Sequence, residues 1–256
     1  MRFRGAATGG RVGSRAVPMG VAAVLTLLAL TGCETTAEES AKLEKVAKRK
    51  AHESALLHPF AKGLSIPRPS TKVRVNATVV VHSPEGTAVA VTLSNQSSAT
   101  QRDIPVEITV KDARGATLYT NTTPGLATAL VSMPLLPAHA TGTWIDDQVQ
   151  TSGTPASASA EVGEGTPVSG AIPKLSVQGI HLAEGQLEGS VVNRSFVSQR
   201  ELVVYALARR GGTIVAAGRA VVPQAEPGTT THFQAFLIGN AQGAQLEASA
   251  PPTTVG

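Results

Sequence analysis

From Val73 onward the chain alternates apolar and polar residues with a period of two. Val73, Val75, Ala77, Val79 and Val81 are interleaved with Arg74, Asn76 and Thr78. The alternation returns at Val89, Val91 and Leu93, at Ile104, Val106, Ile108 and Val110, at Leu118 and Thr120, and around Trp144. Turn-forming stretches, Pro84-Glu85-Gly86 and Asp112-Ala113-Arg114-Gly115, separate the runs. Short alternating strands broken by regular turns predict an antiparallel β-sandwich. Strand signals resume at Leu175–Val177, Gln186–Val192, Glu201–Ala208, Thr213–Val222, His232–Ile238 and Gln245–Ala248. Between the two sets, residues 151–172 are rich in Ser, Thr, Gly, Pro and Ala. They read either as a linker or as a weak last strand over Ala156–Val162.

Before Val73 the period is helical. Leu43, Val46, Ala47 and Leu57 roughly share a face, and Glu44 and Lys48 form a favourable i,i+4 pair. Pro59, Pro67 and Pro69 then stop the helix and stiffen the chain. Residues 33–72 are therefore expected to be a helical and proline-rich stalk. Its cluster of Lys42, Lys45, Lys48, Arg49 and Lys50 is suited to anionic lipid headgroups.

Sliding the chain against itself reveals a repeat. Asn95-x-Ser97-x-x-x-Gln101-Arg102-Asp103-Ile104-x-Val106 matches Asn193-x-Ser195-x-x-x-Gln199-Arg200-Glu201-Leu202-x-Val204. The shift from Asn95 to Asn193 is close to the roughly 100 residues of one immunoglobulin-like domain. Pro137 with Gly142-Thr143 matches Pro223 with Gly228-Thr229 at a shorter shift, which places an insertion in the first copy around Thr122 to Leu130. In both copies Asn-x-Ser suits a turn, because both side chains can bond nearby backbone. The sequence thus predicts a mainly β protein of two tandem immunoglobulin-like antiparallel sandwiches, over residues 73–150 and 173–250, with 251–256 a disordered tail.

The units resemble FxLYD-type and related immunoglobulin-like domains of bacterial envelope proteins. In the second unit the resemblance lies in Val191-Val192-Asn193-Arg194-Ser195, Leu202–Leu207, and Glu226-Pro227-Gly228-Thr229 ahead of Phe233 and Phe236. In the first it lies in Leu93-Ser94-Asn95 and Val106–Asp112 ahead of Gly115. Arg209-Arg210-Gly211 departs from the family's usual acidic turn. The resemblance implies a non-catalytic envelope module and carries no site residue with it.

The N-terminus adds an address. Arg2, Arg4, Arg11 and Arg15 precede an apolar run, Val21–Leu30, too short to span a bilayer but of signal-peptide length. Leu30-Thr31-Gly32-Cys33 follows, and it resembles the lipobox of bacterial lipoproteins. That resemblance implies removal of residues 1–32, cleavage between Gly32 and Cys33, and lipidation of the Cys33 thiol. Cys33 is the chain's one cysteine, so no intramolecular disulfide competes for it. The expected location is the extracytoplasmic side of the cell membrane, held by lipid.

Charge and composition narrow the function. The formal net charge of +4 comes from those four arginines, the only charged residues before Cys33. The remainder is neutral, so no nucleic-acid partner is expected. Aromatics make up only 3% of the chain, so any core must rest on Val, Ile, Leu and Ala.

No G-x-S-x-G, H-E-x-x-H or phosphate-cradling glycine loop is present. His52, His58, His82, His139, His181 and His232 are scattered and read as surface or turn residues. Asp146-Asp147 reads as a solvated strand end with too few nearby acids for Ca²⁺. Glu161 and Glu164 fall in a stretch expected to be flexible. Neither a cofactor nor an enzymatic role is expected.

Two aromatics are candidates for partner binding. Trp144 is either an exposed anchor or a core residue. Phe196, where the first unit has Ser98, is either a contact at a loop tip or folded over the core edge. The expected role is a surface-tethered interaction or scaffold module with an envelope protein partner. The alternative is a ligand- or solute-binding accessory of an envelope transport or assembly complex. A cavity of several hundred Å3 between the two units would favour that alternative.

Overall fold

The alternating runs pair as two antiparallel sandwiches in a computed structural model that describes residues 62–256. The first contains β1 (Val73–Ser83), β2 (Gly86–Asn95), β3 (Gln101–Lys111), β4 (Thr117–Thr120), β5 (Ser132–Leu136), β6 (Thr141–Asp146), β7 (Ser157–Val162) and β8 (Thr166–Pro167). One sheet has the order β1-β2-β6. In the other, β4 and β7 pair with the last residues of β3, and β5 and β8 pair with its first. The second sandwich contains β9 (Leu175–Ala183), β10 (Gln186–Asn193), β11 (Gln199–Arg210), β12 (Thr213–Ala225), β13 (Thr230–Phe236), β14 (Ile238–Gly239) and β15 (Gln245–Ser249). Its sheets run β13-β10-β9 and β14-β12-β11-β15.

The repeat is a repeat of structure. Gln101 pairs with Leu136 in β5 as Gln199 pairs with Ala225 in β12, and β7 lies on β3 as β15 lies on β11. The single strand β12 is matched by two, β4 and β5, because residues 121–131 form an excursion containing a short 3-10 turn, Thr128–Leu130. Asn121 fastens that excursion. Its side chain accepts from the Ile108 amide at 2.8 Å and donates to the carbonyls of Val106 and Leu130, both at 2.8 Å. Asp103 and Glu201, at matching positions, both adopt a left-handed backbone, with φ of 51° and 47°.

The two Asn-x-Ser turns close in the same way, with one more carbonyl bonded by Asn95 than by Asn193. Asn95 Oδ1 accepts from the Ser97 amide and hydroxyl, and its Nδ2 donates to Ala99, Leu136 and Pro137 carbonyls. Asn193 does the same with Ser195, Val197 and Ala225. Both asparagines are buried. Asn95→Ala and Asn193→Ala are each expected to lower unfolding stability by about 2 kcal/mol, since each strands buried carbonyls. Urea denaturation measures this, and a loss under about 0.5 kcal/mol would show that the turns hold without the side chain.

The sandwiches pack sheet against sheet. Alternate residues of β11 divide between two cores. Leu202, Val204, Ala206 and Ala208 fill the interior of the second sandwich. Val203, Tyr205 and Leu207 join the core of the first, together with Ile214, Ala217 and Ile238. Val81 lies against Gly239, so its register partner Ala88 shares that face. Ala88, Val89, Ala90 and Val91 of β2 are all fully buried, because that strand is covered on both faces.

Several expectations for the segments between and around the sandwiches change. Of the two readings of residues 151–172, the last strand holds and the free linker does not: Ser157–Val162 completes the first sandwich as β7. Pro67 and Pro69 do not belong to a free stalk. Leu64 is buried, Pro69 bridges Gly163, and the Ser70 amide donates to the Val162 carbonyl at 2.7 Å. The tail at 251–256 is docked: the Thr253 and Thr254 amides donate to Gln199 Oε1 at 3.0 and 3.1 Å. The expected signal peptide and helix, including Pro59, fall outside the described residues.

Candidate functional site

Trp144 is not a partner contact. It is fully buried, on the face of β6 that looks into its own sandwich, and its indole N–H donates to the Ala129 and Ser132 carbonyls at 3.1 Å each. Its register partner is Val91, a β2 residue buried in the same core. A period-two strand that carries one large aromatic buries it wherever the facing sheet leaves room.

Asp146-Asp147 is not a solvated strand end either. Asp146 is fully buried and accepts from the Tyr119 hydroxyl at 3.1 Å and the Gln148 amide at 2.9 Å. Burial raises its carboxyl to about 6, against the lowering by the Gln148 and Tyr119 hydrogen bonds and by Arg219. Asp147 crosses to the second sandwich. Its two oxygens accept from Arg219 Nε at 2.8 Å and from the Arg219 backbone amide at 2.9 Å. The two side chains are 17% and 6% exposed, so the pair is a buried clamp between the sandwiches. Tyr205 lies in the same core, with its hydroxyl buried and unpartnered among the described residues and its acidity weakened by burial.

Glu164, expected in a flexible stretch, is held in place. Its carboxylate accepts from the Thr71 amide at 2.8 Å and pairs with Lys72 at 3.3 Å, which keeps it below the ordinary carboxylate range. Glu161 lies on β7 opposite Glu107.

Among the described residues, clefts open between the packed sandwiches. One, of about 670 Å3, lies between the β1–β2 turn and the second sandwich, with Val81, Glu85, Leu182, Val215 and Gln242 among its walls. Another, of about 340 Å3, is lined by Leu136, Pro137, Gly142, Leu175, Val177 and Pro251. A third hollow, of about 620 Å3, lies on the β13-β10-β9 sheet, where His181, Glu188, Ser190, His232 and Gln234 converge. There Ser190 Oγ and His232 Nδ1 are 2.9 Å apart, and His181 Nε2 lies 3.6 Å from Glu188. Among the described residues no three His, Cys, Asp or Glu side chains are placed to hold a metal ion.

The chain matches none of the protein-family models and none of the curated proteins it was compared with.

Phe196 is the remaining candidate, and it stands fully exposed. The turn beneath it is rigid: besides the Asn193 bonds, the Val197 amide donates to Ser195 Oγ at 3.2 Å. Cys33 and Gly32 lie outside the described residues. The pattern of single residues did not reveal Arg219, because nothing local marks a β12 arginine as the partner of an acid 72 positions earlier. It did mark Asn95 and Asn193, through the repeat.

Proposed function

We propose that this is a membrane-anchored envelope lipoprotein that acts as a non-enzymatic interaction or scaffold module. Lipid on Cys33 holds it on the extracytoplasmic side of the membrane, and an envelope protein is its partner. The observation that carries the scaffold reading is the joining of the two sandwiches. A shared core and a buried ion pair make one stiff block, from which closed turns present residues such as Phe196. A stiff block presents its loops with little ordering cost on binding. The likeness to FxLYD-type envelope domains agrees with this role, and so does the lipobox. Crosslinking in intact cells followed by capture of the anchored protein tests it: one recurrent envelope partner supports scaffolding.

Cys33→Ala is expected to abolish both incorporation of labelled palmitate and retention in the membrane fraction. One acyl chain anchors only marginally and several anchor stably. Unchanged labelling in the variant would overturn the anchor.

The second reading, a ligand- or solute-binding accessory of an envelope complex, draws on the clefts between the sandwiches. The larger, at about 670 Å3, falls within the size range of small-molecule sites. Its walls mix apolar side chains with Glu85, whose carboxyl is held below the ordinary range by the Ser83 side chain. Native mass spectrometry of the protein purified from its own envelope distinguishes the two readings. A co-purifying small molecule favours the second.

A further inference from the structure

The duplication supplies an internal control for the Phe196 turn. The first copy closes the same turn with the same hydrogen bonds and carries Ser98 at the tip, so the fold needs no aromatic there. The charges around the two turns differ as well. In the first copy Lys72 pairs with Glu164, Arg102 pairs with Asp103 at 2.7 Å, and the neutral Gln96 bonds Ser94. Their counterparts Lys174, Arg200 and Arg194 are exposed, and none makes an ion pair among the described residues. Glu201 and Glu226 are the acids of this end, and Glu226 accepts from the Gln224 side-chain amide and keeps its charge.

The apolar side of the patch is larger than one ring. The Arg194 amide donates to the Lys174 carbonyl at 2.9 Å, which brings the 170–174 segment beside the turn. Gly256 sits against both Gly170 and Val197 and ties the same two segments together. Ile172, another exposed large apolar side chain, therefore shares this end with Phe196. The second sandwich thus presents two apolar side chains and three cations that make no ion pair among the described residues, beside Glu201 and Glu226, where the first presents a serine and paired charges.

We propose that this end of the second sandwich docks on an anionic lipid surface, with Phe196 and Ile172 entering the interface and Lys174, Arg194 and Arg200 meeting the headgroups. A projecting ring requires a matching pocket in a protein partner, but a bilayer interface yields to it. Cations beside an inserted aromatic complement anionic headgroups. The proposal deepens the membrane-anchored reading: it states which end of the block faces the bilayer.

The test places tryptophan at either turn of the full chain, by Phe196→Trp or Ser98→Trp, with the buried Trp144 as a constant background. Each variant meets vesicles of phosphatidylglycerol and phosphatidylethanolamine with brominated acyl chains. The 196 variant is expected to shift its emission to shorter wavelength and be quenched by the bromine, and the 98 variant is not. Replacing Lys174, Arg194 or Arg200 by Gln should weaken vesicle binding about fivefold per charge.

Iodide quenching of the 196 variant without bromine quenching overturns the proposal. So does equal quenching of both variants, or equal binding to phosphatidylcholine vesicles. Capture of one envelope protein by a crosslinker at 196, with no bromine quenching, replaces the lipid with a protein partner. Palmitate labelling reads the anchor separately. Labelling without bromine quenching sinks only this inference, and quenching without labelling sinks only the anchor.

Discussion

Arg219→Ala is expected to cost about 3–5 kcal/mol of unfolding stability, the range for removing one partner of a buried ion pair. Asp147 would keep the Arg219 backbone amide at 2.9 Å but lose the guanidinium at 2.8 Å, in a site where the two side chains are 17% and 6% exposed. The charge left behind would keep only the little water that its 17% exposure admits. Guanidinium denaturation measures the loss. Asp147→Leu combined with Arg219→Met should recover most of it, because an apolar pair of similar volume avoids the desolvation that the ions suffer. A loss below about 1 kcal/mol would place the pair with ordinary surface salt bridges and remove the clamp.

Asp146→Asn is expected to stabilise the protein at pH 8 by up to about 3 kcal/mol and to leave it unchanged at about pH 3.5. The folded carboxyl sits at about 6, raised from 3.8 by burial. The folded state therefore holds its proton more tightly than the unfolded chain does. The stabilisation linked to that proton is fully present below about pH 4 and is lost as pH rises through 6. The rise from 3.8 to about 6, at about 1.36 kcal/mol for each pH unit, sets the ceiling. Asparagine stays neutral, can still accept from the Gln148 amide, and can donate to the Tyr119 hydroxyl. Thermal unfolding followed between about pH 4 and pH 8 should show the gap between parent and variant opening as pH rises. Parallel curves would show that Asp146 is not held protonated.

Much of the fold was legible because its signals are local or self-repeating. The strand positions follow from alternation, as in Ile104, Val106, Ile108 and Val110, all fully buried. The unequal shifts pointed to an insertion around Thr122 to Leu130, and one there splits a strand into β4 and β5. The second match itself does not hold, since Gly142-Thr143 lies within β6 and Gly228-Thr229 in the turn before β13. The run Leu202–Leu207 carried a signal that alternation alone does not use. It is apolar at successive positions, the mark of a strand buried on both faces. Placing Glu201–Ala208 only as a strand of the second unit did not show its contact with the first. Asp146-Asp147 misled for the opposite reason. Adjacent acids at a strand end usually meet water, and here a tyrosine on β4, the Gln148 amide and an arginine on β12 make their burial tolerable.

The sequence by itself determined the strands, the duplication, the Asn-x-Ser turns and the expectation of a lipid address at Cys33. All of these are written in spacing along a single stretch of chain. Tertiary structure alone decided which aromatic is core and which is exposed, since Trp144 and Phe196 differ in what faces them and not in any local pattern. It also decided that two sandwiches form one block. That depends on small side chains such as Ala88 and Ala217 letting two sheets approach, and on one arginine reaching an acid far away in sequence. Alternation says that a face is apolar; which surface covers it depends on residues brought together only by folding.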